Sequence, residues 1–160
     1  MKLHVAPIAL AVALSLSAWD AHAEGAGPFA KMAGSWSGAG SLTVANGAQE
    51  RLRCRASYNV GGSGNQLRLN LRCASESYNF NLSGDVASNG RTLSGSWNET
   101  AHNATGTVSG QVNGDRIQAA ARGDSFSAGL SLVTRGNRQT VSIRPQGTQV
   151  SGVSVTLSKT

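Results

Sequence analysis

From Leu52 to Val60, apolar side chains take every second position (Leu52, Cys54, Ala56, Tyr58, Val60), with Arg51, Arg53, Arg55, Ser57 and Asn59 on the alternate side. Successive side chains of a β-strand point to opposite faces, so this alternation specifies a strand with one apolar and one polar face. The pattern returns in Leu67/Leu69/Leu71/Cys73, Tyr78/Phe80/Leu82, Leu93/Gly95/Trp97, Val108/Gly110/Val112, Phe126/Ala128/Leu130/Leu132, Val141/Ile143 and Val153/Val155/Leu157. Between the runs stand Gly61-Gly62-Ser63-Gly64, Ser88-Asn89-Gly90, Asn113-Gly114-Asp115 and Arg135-Gly136-Asn137, residues that accept the positive φ of tight turns. No stretch of helical period competes, so the chain reads as all-β.

Turns this short join antiparallel neighbours. With a first strand near Gly34–Val44, the runs make a single antiparallel up-and-down meander of about eight to ten strands over residues 33–160. A twisted sheet of that size removes its edges most simply by closing, which favours a barrel over a sandwich. Gly38, Gly40, Gly95, Gly106 and Gly110 fall on the inward side, where they permit strand bending and leave little side-chain volume. An internal cavity is therefore expected to be possible, and a core filled by aromatics is the competing outcome.

The register of one hairpin follows from its turn. Centring it on Ser63-Gly64 sets Val60 opposite Leu67, Tyr58 opposite Leu69 and Cys54 opposite Cys73. Both cysteines then lie on the apolar face of adjacent strands, placed for a cross-strand disulfide. Closing a loop of about 20 residues stabilises a fold by roughly 3 kcal/mol in the chain-entropy model.

An oxidising compartment suits that bridge, and the start of the chain supplies the route. Lys2, the apolar run from Val5 to Leu16 and Ala21-His22-Ala23 form a signal peptide over residues 1–23, and residues 24–32 are a lead-in to the barrel. The apolar run is too short for a stable membrane-crossing helix, and nothing later resembles one. Export to the periplasm or the exterior is the expectation. A barrel spanning the outer membrane is disfavoured, because only seven aromatics follow residue 23, too few for two girdles. Removal of residues 1–23 leaves thirteen Lys and Arg against seven Asp and Glu, so the net charge stays at +6.

Little in the sequence carries covalent chemistry. His102 is the one histidine after residue 23, and it sits in a turn; no serine lies in a nucleophile-elbow pattern, and both cysteines are expected to be oxidised. No metal site or cofactor is expected, and the residues lean away from an enzyme. Glu76 and Glu99 fall at inward parity near strand ends close to His102, where a carboxylate pair can bind a metal or work as acid and base, but more often forms rim groups facing water. Arg51, Arg53, Arg55, Arg68 and Arg72 share the outward face of the derived hairpin, with Arg55 directly opposite Arg72. Such a face can hold carboxylates or phosphates of an anionic envelope component through forked hydrogen bonds, or simply be solvated. Nucleic acid is not an expected partner, since no aromatics interleave these arginines.

Gly34-Ser35-Trp36 on the first strand resembles the G-x-W signature of calycins, the lipocalins with their fatty-acid-binding and avidin-like relatives. The resemblance rests on that tripeptide and the meander; Gly95-Ser96-Trp97 repeats the tripeptide on a later strand. It implies that Trp36 closes the base of the barrel, with Lys159 or Arg144 as the basic side chain stacked on it. A periplasmic protease-inhibitor barrel is comparable in size, signal and single bridge, but its Trp-to-Cys spacing is not matched.

Alternate turns of a meander share an end. Glu50, Glu76, Glu99 and His102 therefore collect at one rim, and Arg91, Arg116, Arg135, Arg138, Lys31 and Lys159 at the other, near Trp36. The expected function is a non-catalytic binding module for a small amphipathic ligand, entering at the acidic rim. Trp36, Tyr58, Tyr78, Phe80, Trp97, Glu76 and Glu99 are the candidate contacts. The alternative is an interaction protein that uses the Arg face.

Overall fold

The computed structural model describes residues 26–160; the signal peptide read over residues 1–23 lies outside them. Ten strands follow one another: β1 Gly34–Val44, β2 Gln49–Gly61, β3 Gln66–Ala74, β4 Asn79–Asn89, β5 Thr92–Glu99, β6 Ala104–Asn113, β7 Arg116–Gly123, β8 Ser127–Arg135, β9 Arg138–Gln146 and β10 Val150–Lys159. Each pairs antiparallel with its sequence neighbours, and β1 pairs with β10 to close the barrel. The up-and-down barrel stands at the upper end of the strand count expected from the alternation. Two 3-10 turns, Ala30–Met32 and Gly62–Gly64, are the helical additions.

Alternation decides which face is inside. On β2, Leu52, Cys54, Ala56 and Tyr58 are buried while Arg51, Arg53 and Arg55 are exposed. The hairpin register is the one derived from its turn, with Val60 opposite Leu67, Tyr58 opposite Leu69 and Cys54 opposite Cys73. Cys54 and Cys73 are disulfide-bonded, their Cα atoms 4.1 Å apart. The outward positions of β4 to β10 are mostly Ser, Thr, Asn, Gln and Arg, so the apolar face is turned inward, the reverse of a lipid-spanning barrel.

The five inward glycines have a common reason. At Gly38, Gly40, Gly95, Gly106 and Gly110, a Cβ would lie closer than 3.0 Å to a carbonyl oxygen of the adjacent strand. The strands bend together there as no side chain would allow.

The two ends differ in their turns. At the Trp36 end, Gly90-Arg91, Gly114-Asp115 and Gly136-Asn137 are two-residue loops led by a glycine at positive φ (63°, 62° and 56°), which matches the twist of paired strands. The far end has the longer loops after β1, β3, β5, β7 and β9. Phe126 and Tyr78, assigned to strands by their parity, lie in two of these loops.

The Trp36 end is packed shut. Residues 27–32 fold under the barrel, with backbone hydrogen bonds from Gly27 N to Ser63 O (2.8 Å) and Phe29 N to Gly64 O (3.0 Å). Gly27 and Gly64 touch backbone to backbone, where a Cβ on either would collide with the other. This docking drives Phe29 and Met32 into the base beside Trp36, all three essentially without exposure. The Trp36 indole N–H donates to Met32 O (2.7 Å), its ring meets Tyr58 edge-on at 6.3 Å, and Lys159 Nζ lies 5.4 Å from the ring centroid. Trp36 and Lys159 thus hold the positions the calycin resemblance implies, whereas Arg144 is an exposed residue of β9.

Candidate functional site

Above the sealed base, the middle of the barrel is not filled. Leu69, Leu71, Leu82, Val86, Val108, Ile117, Leu130, Leu132, Val141, Ile143 and Val153 point inward yet remain partly accessible, whereas the base layer of Tyr58, Leu67, Leu93, Val112 and Leu157 is buried. They enclose a cavity of about 140 Å³, floored by Phe29 and Met32 and flanked by the Cys54–Cys73 bridge. Its residue set is apolar except for Tyr58, and that phenol is already engaged.

Tyr58 Oη donates to Gln139 Oε1 (2.6 Å), and Gln139 Nε2 donates to Thr134 Oγ1 (3.0 Å). Gln139 is 0% exposed, so a chain of polar groups crosses the base with its bonds made internally. Burial pushes the Tyr58 phenol well above its ordinary range, although the hydrogen bond to Gln139 opposes the shift. Among the described residues, no buried side-chain polar atom lacks a partner. The cavity therefore presents shape and apolar surface, and no hydrogen-bonding handle.

The candidate contacts distribute unevenly about this space. Of the five aromatics, Tyr58 lines the cavity and Trp36 belongs to the base beneath it. Tyr78, Phe80 and Trp97 lie toward the far end. Trp97 sits over Gly106 and Gly123, donates its indole N–H to Thr107 O (3.0 Å) and meets Phe126 edge-on at 5.6 Å. Phe80 lies 5.9 Å from the His102 ring, and Tyr78 Oη reaches Gln149 Oε1 at 3.4 Å. These three aromatics do not line the cavity, whose wall is aliphatic.

Two acids of the far rim, Glu99 and Glu50, are occupied with loop groups. Glu99 is 8% exposed and accepts from Asn81 N (2.7 Å), Ala101 N (3.0 Å) and His102 N (2.9 Å), with His102 Nδ1 2.6 Å from Oε2. Burial works against its ionisation, but the bonds from Asn81, His102 and Ala101 outweigh burial and hold the carboxyl below its usual value. Glu50 accepts from Ser75 Oγ (2.6 Å) and Ser77 N (3.0 Å), which lower its pKa likewise. Glu76 is not at the end of a strand: it sits exposed in the β3–β4 loop, apart from the Glu99–His102 pair. The described residues contain no cluster of three or more His, Cys, Asp or Glu able to hold a metal.

The arginines of the outer face separate into two groups. Arg68 is paired with Asp85 (2.9 Å). Arg51, Arg53, Arg55 and Arg72 have no carboxylate within ion-pair distance among the described residues, and Arg55 stands directly opposite Arg72.

The sequence reading missed the plug of Phe29 and Met32 and the buried Gln139 and Thr134. A pair of large apolar residues spaced i, i+3 in a short lead-in before Trp36 was the available signal for the plug. Gln139 carried none, being a lone polar residue at inward parity.

No protein-family model matches the chain, and no curated protein is significantly similar to it in sequence. Among solved structures, Rv2717c of M. tuberculosis matches with a TM-score of 0.65 at 12% identity, over 82% of this chain and 94% of that one. The S-type phycobiliprotein lyase CPES from Guillardia theta matches with a TM-score of 0.58 at 11% identity, over 82% of this chain and 90% of that one. At these identities the likeness is one of fold alone, that of a closed antiparallel β-barrel.

Proposed function

We propose that this protein is a non-catalytic carrier or receptor for a small ligand with an apolar body, held inside the barrel. The observation that carries the reading is the cavity: an apolar space above a packed base, with every buried side-chain polar atom among the described residues already paired. An apolar cavity of this kind stays dry and takes up an apolar guest, since burying the guest's surface is favourable at about 25 cal/mol per Å². At about 140 Å³ the space suits a single ring or a short chain. A longer ligand would extend past Phe80 and Trp97 to the far rim, and any polar head would remain there, beside Glu76. The fold shared with a phycobiliprotein lyase is compatible with a ligand-handling role. Residues 1–23 would direct the protein out of the cytoplasm, where its disulfide would persist.

The test is a titration of residues 24–160 with benzene and with 1-octanol, read by NMR shifts of the Leu, Val and Ile methyls. Saturable shifts confined to the middle layer are expected. Ala119→Phe, which places a ring in the cavity from β7, should remove them while leaving the fold intact. Equal shifts in the parent and the variant, or none in the parent, would refute the reading.

A further inference from the structure

We infer that Arg55 and Arg72 form the centre of a second binding site, on the outer wall, for the acidic group of a saccharide. It is independent of the internal cavity and lies on the other side of the sheet from it.

The two arginines are Cα partners on adjacent strands, both outward, with no carboxylate within ion-pair distance among the described residues. Like charges placed directly opposite disfavour a strand pair, so this arrangement is a local cost that a bound anion would relieve. The same like-charge juxtaposition does not arise at Arg68, whose Asp85 partner is in place. Two guanidiniums side by side offer converging N–H donors, a geometry that suits a carboxylate, sulfate or phosphate.

The surroundings define what carries that anion. Arg55 and Arg72 line an open concavity of about 620 Å³, together with Ser35, Ser37, Ser57, Asn70 and Thr160. Ser37 precedes Arg55 in the same cross-strand row, and Ser57 and Asn70 face each other in the next. Trp36 and Ala56 also border the concavity, but both are buried (1% and 5% exposed), so neither offers an acyl chain a broad surface. Hydroxyls and an amide flanking two cations complement a ligand rich in hydroxyls that bears a negative group, which is an acidic sugar.

Isothermal titration with a sulfated heparin-type hexasaccharide tests the site, with neutral dextran, inorganic sulfate and phosphatidylglycerol vesicles as comparison probes. The parent should bind the hexasaccharide saturably, ignore dextran and lose affinity as salt rises, since exposed charges are screened within about 10 Å at 0.1 M. Arg55→Ser with Arg72→Ser should weaken binding about tenfold or more, while Arg122→Ser with Arg144→Ser, removing equal charge from the opposite wall, should change it little. Ser57→Ala with Asn70→Ala should weaken the hexasaccharide and leave sulfate alone. Circular dichroism and thermal unfolding confirm that each variant folds, and Arg72→Ser alone serves if the double change does not. The inference is overturned if the two arginine pairs have equal effects, if the parent does not bind, or if vesicles bind more tightly than the hexasaccharide with the same arginine dependence.

Discussion

Replacing Tyr58 by Phe removes one oxygen atom and leaves the packing of the base almost unchanged. Gln139 Oε1, in a side chain with no exposure, accepts only from Tyr58 among the described residues. A buried acceptor left without a partner costs about 1–3 kcal/mol. A domain of this size loses about 3–5 °C of Tm per kcal/mol, so Tyr58→Phe should unfold roughly 3–15 °C below the parent. Gln139→Leu strands two hydroxyls, those of Tyr58 and Thr134, and should cost about twice as much. In Tyr58→Phe with Gln139→Leu the phenol–amide pair is gone from both sides, so the combined loss should fall short of the two single losses by about 0.5–3 kcal/mol. Urea denaturation of the four proteins closes the cycle. Additive losses, or a Tyr58→Phe variant within about 0.5 kcal/mol of the parent, would refute the buried chain as a coupled unit. The alkaline limb gives an independent check. Because the native phenol titrates above its ordinary 10.0, the unfolded chain loses its proton first as pH rises. The stabilisation is therefore complete below pH 10.0 and is lost as pH climbs toward the native value, and Tyr58→Phe should flatten that fall.

Reducing the Cys54–Cys73 bridge, or changing both residues to Ala, should lower unfolding stability by roughly 3 kcal/mol, measured in urea with and without reductant. Glu99 has a lowered pKa, so its contribution is present above the ordinary 4.5 and is lost as pH falls below it; Glu99→Gln should flatten the acid limb of a stability–pH curve. Gly40→Ala places a Cβ against Ser154 O at the β1–β10 pair and should cost about 1–3 kcal/mol, while Gly129→Ala, which meets nothing within 4 Å, should be neutral or slightly stabilising in thermal unfolding.

The fold was legible because each strand repeats a two-residue pattern over its length, so a single misplaced residue could not conceal it. The Cys54–Cys73 register was equally plain, since one turn fixes every pair along β2 and β3. The same reasoning placed Arg55 opposite Arg72 and gathered the charges at the two rims. Parity could not say how far a side chain reaches. Tyr78, Phe80 and Trp97 were expected along the ligand wall, yet the β3–β4 loop and the ends of β4 and β5 carry them to the far end, and shorter aliphatic residues line the space. Nor could parity show that Glu99 bends back to hold its own loop or that Glu50 reaches across to the β3–β4 loop, because those bonds depend on loop geometry. The plug of Phe29 and Met32 escaped for a related reason: it needs the Gly27–Gly64 approach, which joins segments that share no pattern.

The seam between β1 and β10 sets an order of events for folding. Every other strand finds its partner next in sequence, but Trp36 must wait for Lys159 and Leu42 for Val153. Bringing ends so far apart together is a non-local step, slow by its loop-closure entropy. Until it happens, β1 and β10 are open edges and the apolar lining of the cavity faces water, the condition in which strands pair with other chains. During synthesis β1 emerges first and stays unpaired on one side until β10 follows. The interval between those two strands, more than the stability of the finished barrel, is when this chain is most open to aggregation and to capture by chaperones.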